Sequence, residues 1–247
     1  MIVTDSVPAG CFKPWRELEV LSVGRSAVIG ILALIGCGVF STTSSAEQLQ
    51  ISVQAPDGSA VEDLVVYAEP LQSGLVSDRE TPPLQINQKN KTFAPYVSVI
   101  QRNSAVNFVN QDDITHHIYS VSGNNRFSFK IAAGETGQII AGAGNSAGAE
   151  AVAMGCNIHD WMSGYLLVLD TPYYAKTDSQ GRVALDIEQP GDYRVNVWHP
   201  QIQTPDHRMK MDVSLAGEVA FNMQLNQPLA PIPEQAGEEE FEFLEQY

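Results

Sequence analysis

Cysteine is nearly absent: the 247 residues hold three, Cys11, Cys37 and Cys156. So few thiols exclude a disulfide framework as the source of stability. Basic residues are also scarce. Fourteen Lys and Arg stand against 29 Asp and Glu, a formal net charge of −15. That excludes nucleic-acid binding through bulk electrostatics and disfavours an anionic membrane surface. Basic or neutral partners suit the chain. Helical periodicity is missing over any three turns beyond the N-terminal region, which removes helices as organising elements. The longest apolar run, within SAVIGILALIGCGVF, is too short for a comfortable membrane span. What remains is a chain of 44% hydrophobic residues, enough for a real core.

The N-terminus has the plan of an export signal. Arg25 precedes that apolar run, and STTSSA follows it. A positive residue, a short apolar stretch and a small-x-small site after Ala46 make residues 1–46 an expected signal peptide of a periplasmic protein. Leu34-Ile35-Gly36-Cys37 also resembles a bacterial lipoprotein signal, so membrane anchoring is expected only if Cys37 is lipidated. Val39 and Phe40, directly downstream, favour simple cleavage. Export would leave Cys156 as the one cysteine. In an oxidising compartment a thiol without an intramolecular partner is a buried apolar residue, a reactive group or a metal ligand.

From Glu47 the chain reads as β. QLQISVQAP, LVVYAEP, TFAPYVSVIQ, SAVNFVNQDD, HHIYSVSG, FSFKIAAGETGQII, AVAMGC and YLLVLDTP are strand-like runs bounded by turn residues. Residues 72–91 read as loop, and so does the small-residue stretch AGAGNSAGAEA. Near Asp170 the composition changes. DSQG and QPGD mark turns between further strands, which predicts a small second β unit over 172–225 after a first domain over 47–171. Residues 226–247, Pro-rich and then acidic, read as a disordered tail. Many short strands and frequent turns predict an all-β sandwich fold.

One segment, GCNIHDWMSG, places Cys156, His159 and Met162 three apart. Thiolate, imidazole and thioether are soft to borderline ligands and suit copper far better than calcium or magnesium. A blue copper site needs two histidines and a cysteine in a plane, with a weak axial methionine. The missing histidine is available about forty residues upstream, in NQDDITHHIYS. Adjacent strand residues point to opposite faces, so one of His116 and His117 would face the ion, and parity does not choose.

The segments VNFVNQDDITHHIYS and GCNIHDWMSGYLLVLD resemble the cupredoxins, or blue copper proteins. The two-and-two spacing of the ligand loop is similar to that of amicyanin. KTFAPYVSVIQRNSAVNFVN also resembles the approach to the first histidine in that family, with Asn103-Ser104 where a glycine turn is usual. TPYYAKTDSQGRV and QPGDYRVNVWH resemble the segment that follows the cupredoxin in methylamine-utilisation-type plastocyanin-like proteins. The resemblance implies a Greek-key cupredoxin sandwich, then a small transthyretin-like or carboxypeptidase-regulatory-like unit.

It also implies one type 1 copper held by His116, Cys156, His159 and Met162. His117 stands where the family usually has asparagine. The implied function is non-enzymatic transfer of single electrons, with a c-type cytochrome or a quinoprotein dehydrogenase as partner. His159 would be the electron's exit, and Trp161 beside it either a docking surface or a filler under the loop. Five histidines without a His-x-His pair argue against multicopper enzymes. The alternative is a copper-binding or ligand-binding β module without a redox role. His199 is expected to be structural, His207 exposed, and Met154, Met209, Met211 and Met223 packing residues.

Overall fold

The computed structural model describes residues 47–72, 81–143 and 147–235. The expected signal peptide, with Cys11 and Cys37, lies outside them, as does the acidic end of the tail. The fold is all-β: sixteen strands and no helix among the described residues. They are β1 (Glu47–Gln54), β2 (Val65–Pro70), β3 (Leu84–Lys89), β4 (Thr92–Ala94), β5 (Val97–Gln101), β6 (Ala105–Asn110), β7 (His116–Ser120) and β8 (Phe127–Ile131). Then follow β9 (Thr136–Ile140), β10 (Glu150–Cys156), β11 (Ser163–Leu169), β12 (Tyr174–Lys176), β13 (Arg182–Ile187), β14 (Gly191–Trp198), β15 (Arg208–Leu215) and β16 (Val219–Gln224).

Four sheets form two sandwiches. Sheets β4-β3-β6-β9 and β5-β11-β10-β7-β8 enclose one core, which includes Ile86, Phe108, Ile118, Val152 and Leu166. Sheets β13-β1-β16 and β12-β2-β14-β15 enclose another, which includes Leu49, Ile51, Tyr193, Val195 and Leu185. A third cluster of Val65, Tyr67, Val97, Leu167, Leu169 and Trp198 joins β2 and β14 of the second sandwich to β5 and β11 of the first. The sheets therefore stack in four layers.

The stacking explains the unbroken apolar runs. In Leu64-Val65-Val66-Tyr67-Ala68 every residue is buried; Leu64, Val66 and Ala68 face one core, while Val65 and Tyr67 face the joint. Leu166 and Val168 likewise face the first core, and Leu167 and Leu169 the joint. A strand covered on both faces has no polar side to alternate with.

Four sequence expectations change here. β1 and β2 belong with the last five strands: β1 lies between β13 and β16, and β2 between β12 and β14. Strands β3–β11 are thus an insertion between β2 and β12, and the second sandwich is larger than a unit over 172–225. Leu84–Lys89, read as loop, is a strand, because Ile86 and the polar Gln88 both face inward and hide the alternation. TFAPYVSVIQ is two strands, since Pro95 offers no N–H to a ladder and the chain changes sheet there. Finally, residues 226–235 lie against the protein: Ala230 N–H donates to the Gln201 carbonyl at 2.9 Å, and Leu229 packs on the second core.

His199 is buried after Trp198, its Nδ1 accepting the Gln201 N–H at 3.2 Å. Burial lowers its pKa to about 4, with nearby Asp63 pulling upward and Lys176 downward. The folded value lies below the unfolded one of about 6.5, so the native state prefers the neutral ring. This contribution is complete above pH about 6.5 and is lost as pH falls toward about 4, a drop of about 3 kcal/mol. Urea unfolding at stepped pH should show that slope, and His199→Gln should flatten it.

Candidate metal centre

The candidate ligands come from the start of β7, the end of β10 and the loop between β10 and β11 in the first sandwich. His116 opens β7, Cys156 closes β10, and β10 pairs with β7 through Cys156↔Ile118 and Gly155↔Tyr119. Gly155 lets the Tyr119 ring approach closely: a Cβ there would sit 3.0 Å from it and the ring would have to shift by a few tenths of an ångström. The loop between β10 and β11 carries His159 and Met162. Asn157 N–H donates to the His117 carbonyl at 2.9 Å and Met162 N–H to the His159 carbonyl at 3.0 Å, which turns both side chains inward.

Cys156, His116, His159 and Met162 are all buried, at 4%, 0%, 6% and 1% exposure. Cys156 Sγ lies 3.7 Å from His116 Nδ1 and 3.8 Å from His159 Nδ1. All three donor atoms fall within 4.8 Å of one another. An ion with bonds of about 2.0 Å to nitrogen and about 2.3 Å to sulfur, in one trigonal plane, sets nitrogen and sulfur about 3.7 Å apart; tetrahedral angles give about 3.5 Å. The spacing therefore fits a trigonal set. Met162 belongs to the same buried cluster as Cys156.

His117 is directed elsewhere. Its Nε2 meets Ser128 Oγ at 2.9 Å and its Nδ1 meets the Asn157 amide at 3.0 Å. His116 instead turns Nε2 to Asp112 Oδ2 at 2.8 Å, leaving Nδ1 toward the sulfur. Asp112 is itself fixed by the N–H groups of Asn90, at 2.6 Å, and Lys91, at 3.0 Å. Burial pushes its carboxyl upward, but the bonds from Lys91, His116 and Asn90 outweigh this and hold it below the usual range. A carboxylate behind a ligand imidazole fixes its tautomer and orientation. The sequence reading missed Asp112; the signal was its position four before His116, in the same NQDDITHH segment.

His159 is covered by half-buried Trp161, ring centroids 5.3 Å apart, while Ile158 and Asp160 are exposed at the rim. Of the methionines outside the site, Met154 and Met223 are buried, and Met211 is exposed. His207 is exposed.

No family model matches this chain, and no curated protein sequence does. Among solved structures it is similar to a Cu-containing nitrite reductase (NirK) from Thermus scotoductus SA-01, at 25% identity, over 40% of this chain and 25% of that one, with a TM-score of 0.31. This chain thus spans about a quarter of that reductase. A purple cupredoxin from Nitrosopumilus maritimus is similar at 20% identity over 34% of this chain and 98% of its own, with a TM-score of 0.30. Amicyanin from Paracoccus versutus is similar at 17% identity over 41% of this chain and 97% of its own, also with a TM-score of 0.30.

Proposed function

We propose that this chain is an exported type 1 copper protein that carries single electrons between redox partners and performs no catalysis of its own. The observation that carries the reading is the buried His116–Cys156–His159 triangle, with nitrogen–sulfur spacings of 3.7 and 3.8 Å that fit one trigonal ion. Those three residues would hold copper, with Met162, buried in the same cluster as Cys156, as a fourth ligand. Copper, when bound, supplies the one-electron couple between its cupric and cuprous states.

The chain's own residues supply the rest. Ladder pairs on β7 and β10 hold His116 and Cys156 in one place whatever the charge at the centre, so little rearranges when an electron passes. Asp112 keeps the His116 ring aimed at the sulfur. Trp161 and the surrounding core exclude water from His159. His159 is the most exposed of the four candidate ligands, at 6%, and Trp161 lies against it, so the electron would leave by that side. The excess of acidic residues favours a basic partner surface, such as that of a c-type cytochrome or a quinoprotein dehydrogenase. The expected compartment is the periplasm.

Titration of the purified protein with cupric ion, followed by visible absorption, tests the reading. One equivalent should produce intense colour. His116→Ala should abolish it, and His117→Ala should keep it. A wild-type protein that stays colourless overturns the proposal.

A further inference from the structure

The second sandwich has no part in the ligand set, yet the chain returns from it to the ligand loop. After β16, Leu225 is buried and its N–H donates to the Gln54 carbonyl at 2.8 Å. Residues 226–235, NQPLAPIPEQ, then run on with Leu229 packed on the second core. Pro228, Pro231 and Pro233 fix φ at three of ten positions and make the segment a semi-rigid spacer able to span about 30 Å. It is held in its first half: Gln203 Nε2 donates to the Pro228 carbonyl at 2.9 Å, and Ala230 N–H to the Gln201 carbonyl at 2.9 Å. At its far end the Gln235 side chain grips Ser163. Nε2 donates to Ser163 Oγ at 3.0 Å and to its own Pro233 carbonyl at 3.0 Å, while Oε1 accepts the Ser163 N–H at 3.4 Å.

Ser163 directly follows Met162. It is the first residue of β11 and pairs with Gly155, the neighbour of Cys156, so it is the downstream anchor of the whole ligand loop. The upstream anchor, Asn157, is tied to His117 within the first sandwich. The downstream anchor is tied to the second.

We propose that residues 226–235 are a stiff strap by which the second sandwich fixes the ligand loop, and that Gln235 is a positioning residue acting on Met162 through Ser163. This rests on the copper reading above. A fixed Ser163 would hold the Met162 thioether in one place toward a bound copper, and the thioether contact is one of the levers on potential. The strap gives the second sandwich a role that its distance from the ligands conceals.

The test uses three variants of the full chain: one ending at Leu225, one ending at Gln235, and Gln235→Ala. Two quantities are read: the reduction potential with visible spectrum of the copper-loaded protein, and hydrogen exchange of the Ser163 amide in the copper-free protein. The chain ending at Leu225 should exchange Ser163 about five- to tenfold faster, the worth of one ordinary hydrogen bond, and should shift both potential and spectrum. Gln235→Ala should reproduce the faster exchange with every strap contact upstream left in place. The chain ending at Gln235 should match the full chain. Unchanged exchange and potential in both the Leu225-ending chain and Gln235→Ala overturn the strap. So does an equal change in the chain ending at Gln235, which would assign the effect to residues beyond it. A full chain that takes up no copper overturns the functional reading instead, while Ser163 exchange still reports on the tie.

Discussion

Cys156→Ser protein loaded with copper is expected to be colourless and to bind cupric ion more than about 100-fold less tightly than the parent. Changes behind the ligands alone cost 10- to 100-fold, and this one removes the thiolate that faces both imidazoles at 3.7 and 3.8 Å. The hydroxyl is smaller and harder, and it stays protonated where a thiol gives up its proton to the ion. The fold should persist, because Ser fits the space at a buried strand end and can hydrogen-bond to the His116 or His159 ring. Visible absorption and calorimetric titration measure both effects. Retained intense colour would remove sulfur from the centre, and the ligand assignment with it.

Trp198→Ala is the change expected to cost most stability, about 3–5 kcal/mol. Trp198 is 1% exposed at the end of β14, in the joint with Val65, Tyr67, Val97, Leu167 and Leu169. Its ring lies 6.4 Å from that of Tyr165 on β11. Truncation opens a cavity between two sheets that are each already paired within their own sandwich, so neither can collapse freely to fill it. The midpoint of urea unfolding should fall accordingly. The spectrum of the folded copper-loaded protein should stay as it was, because Trp198 packs on the face of β11 opposite the core that holds Cys156 and Met162. A loss below about 1 kcal/mol would mean that the sandwiches do not depend on this contact.

Much of this was legible in the residues. Short alternating runs and turn signals lead to an all-β fold, and the three-residue spacing of Cys156, His159 and Met162 locates one loop of the candidate site. Strand parity could not choose between His116 and His117; the structure separates them through their ring partners, Asp112 for one and Ser128 with Asn157 for the other. Gln88 hid a strand because a buried amide looks like a surface residue in a sequence. The placement of β1 and β2 was out of reach for a different reason. Their partners lie more than a hundred residues away, and nothing local in QLQISVQ or VVYAEP states which distant strand will pair with them. Gln235 was invisible likewise, since a proline-rich stretch gives no sign of ending on a specific serine.

The nested order of the strands sets the sequence of assembly. β1 and β2 are the inner strands of their sheets, and they are the first of the described strands to be made, yet their neighbours are made last. Until β13, β14 and β16 exist, Leu49 and Ile51 have only Leu64, Val66 and Ala68 of that core to pack against, and neither strand has its ladder partners. Strands β3–β11, by contrast, form a contiguous stretch whose pairings are all internal, so this stretch is free to close while the host around it is still open. On that order the host would shut around a finished guest, and the two earliest of the described strands would wait longest for their place.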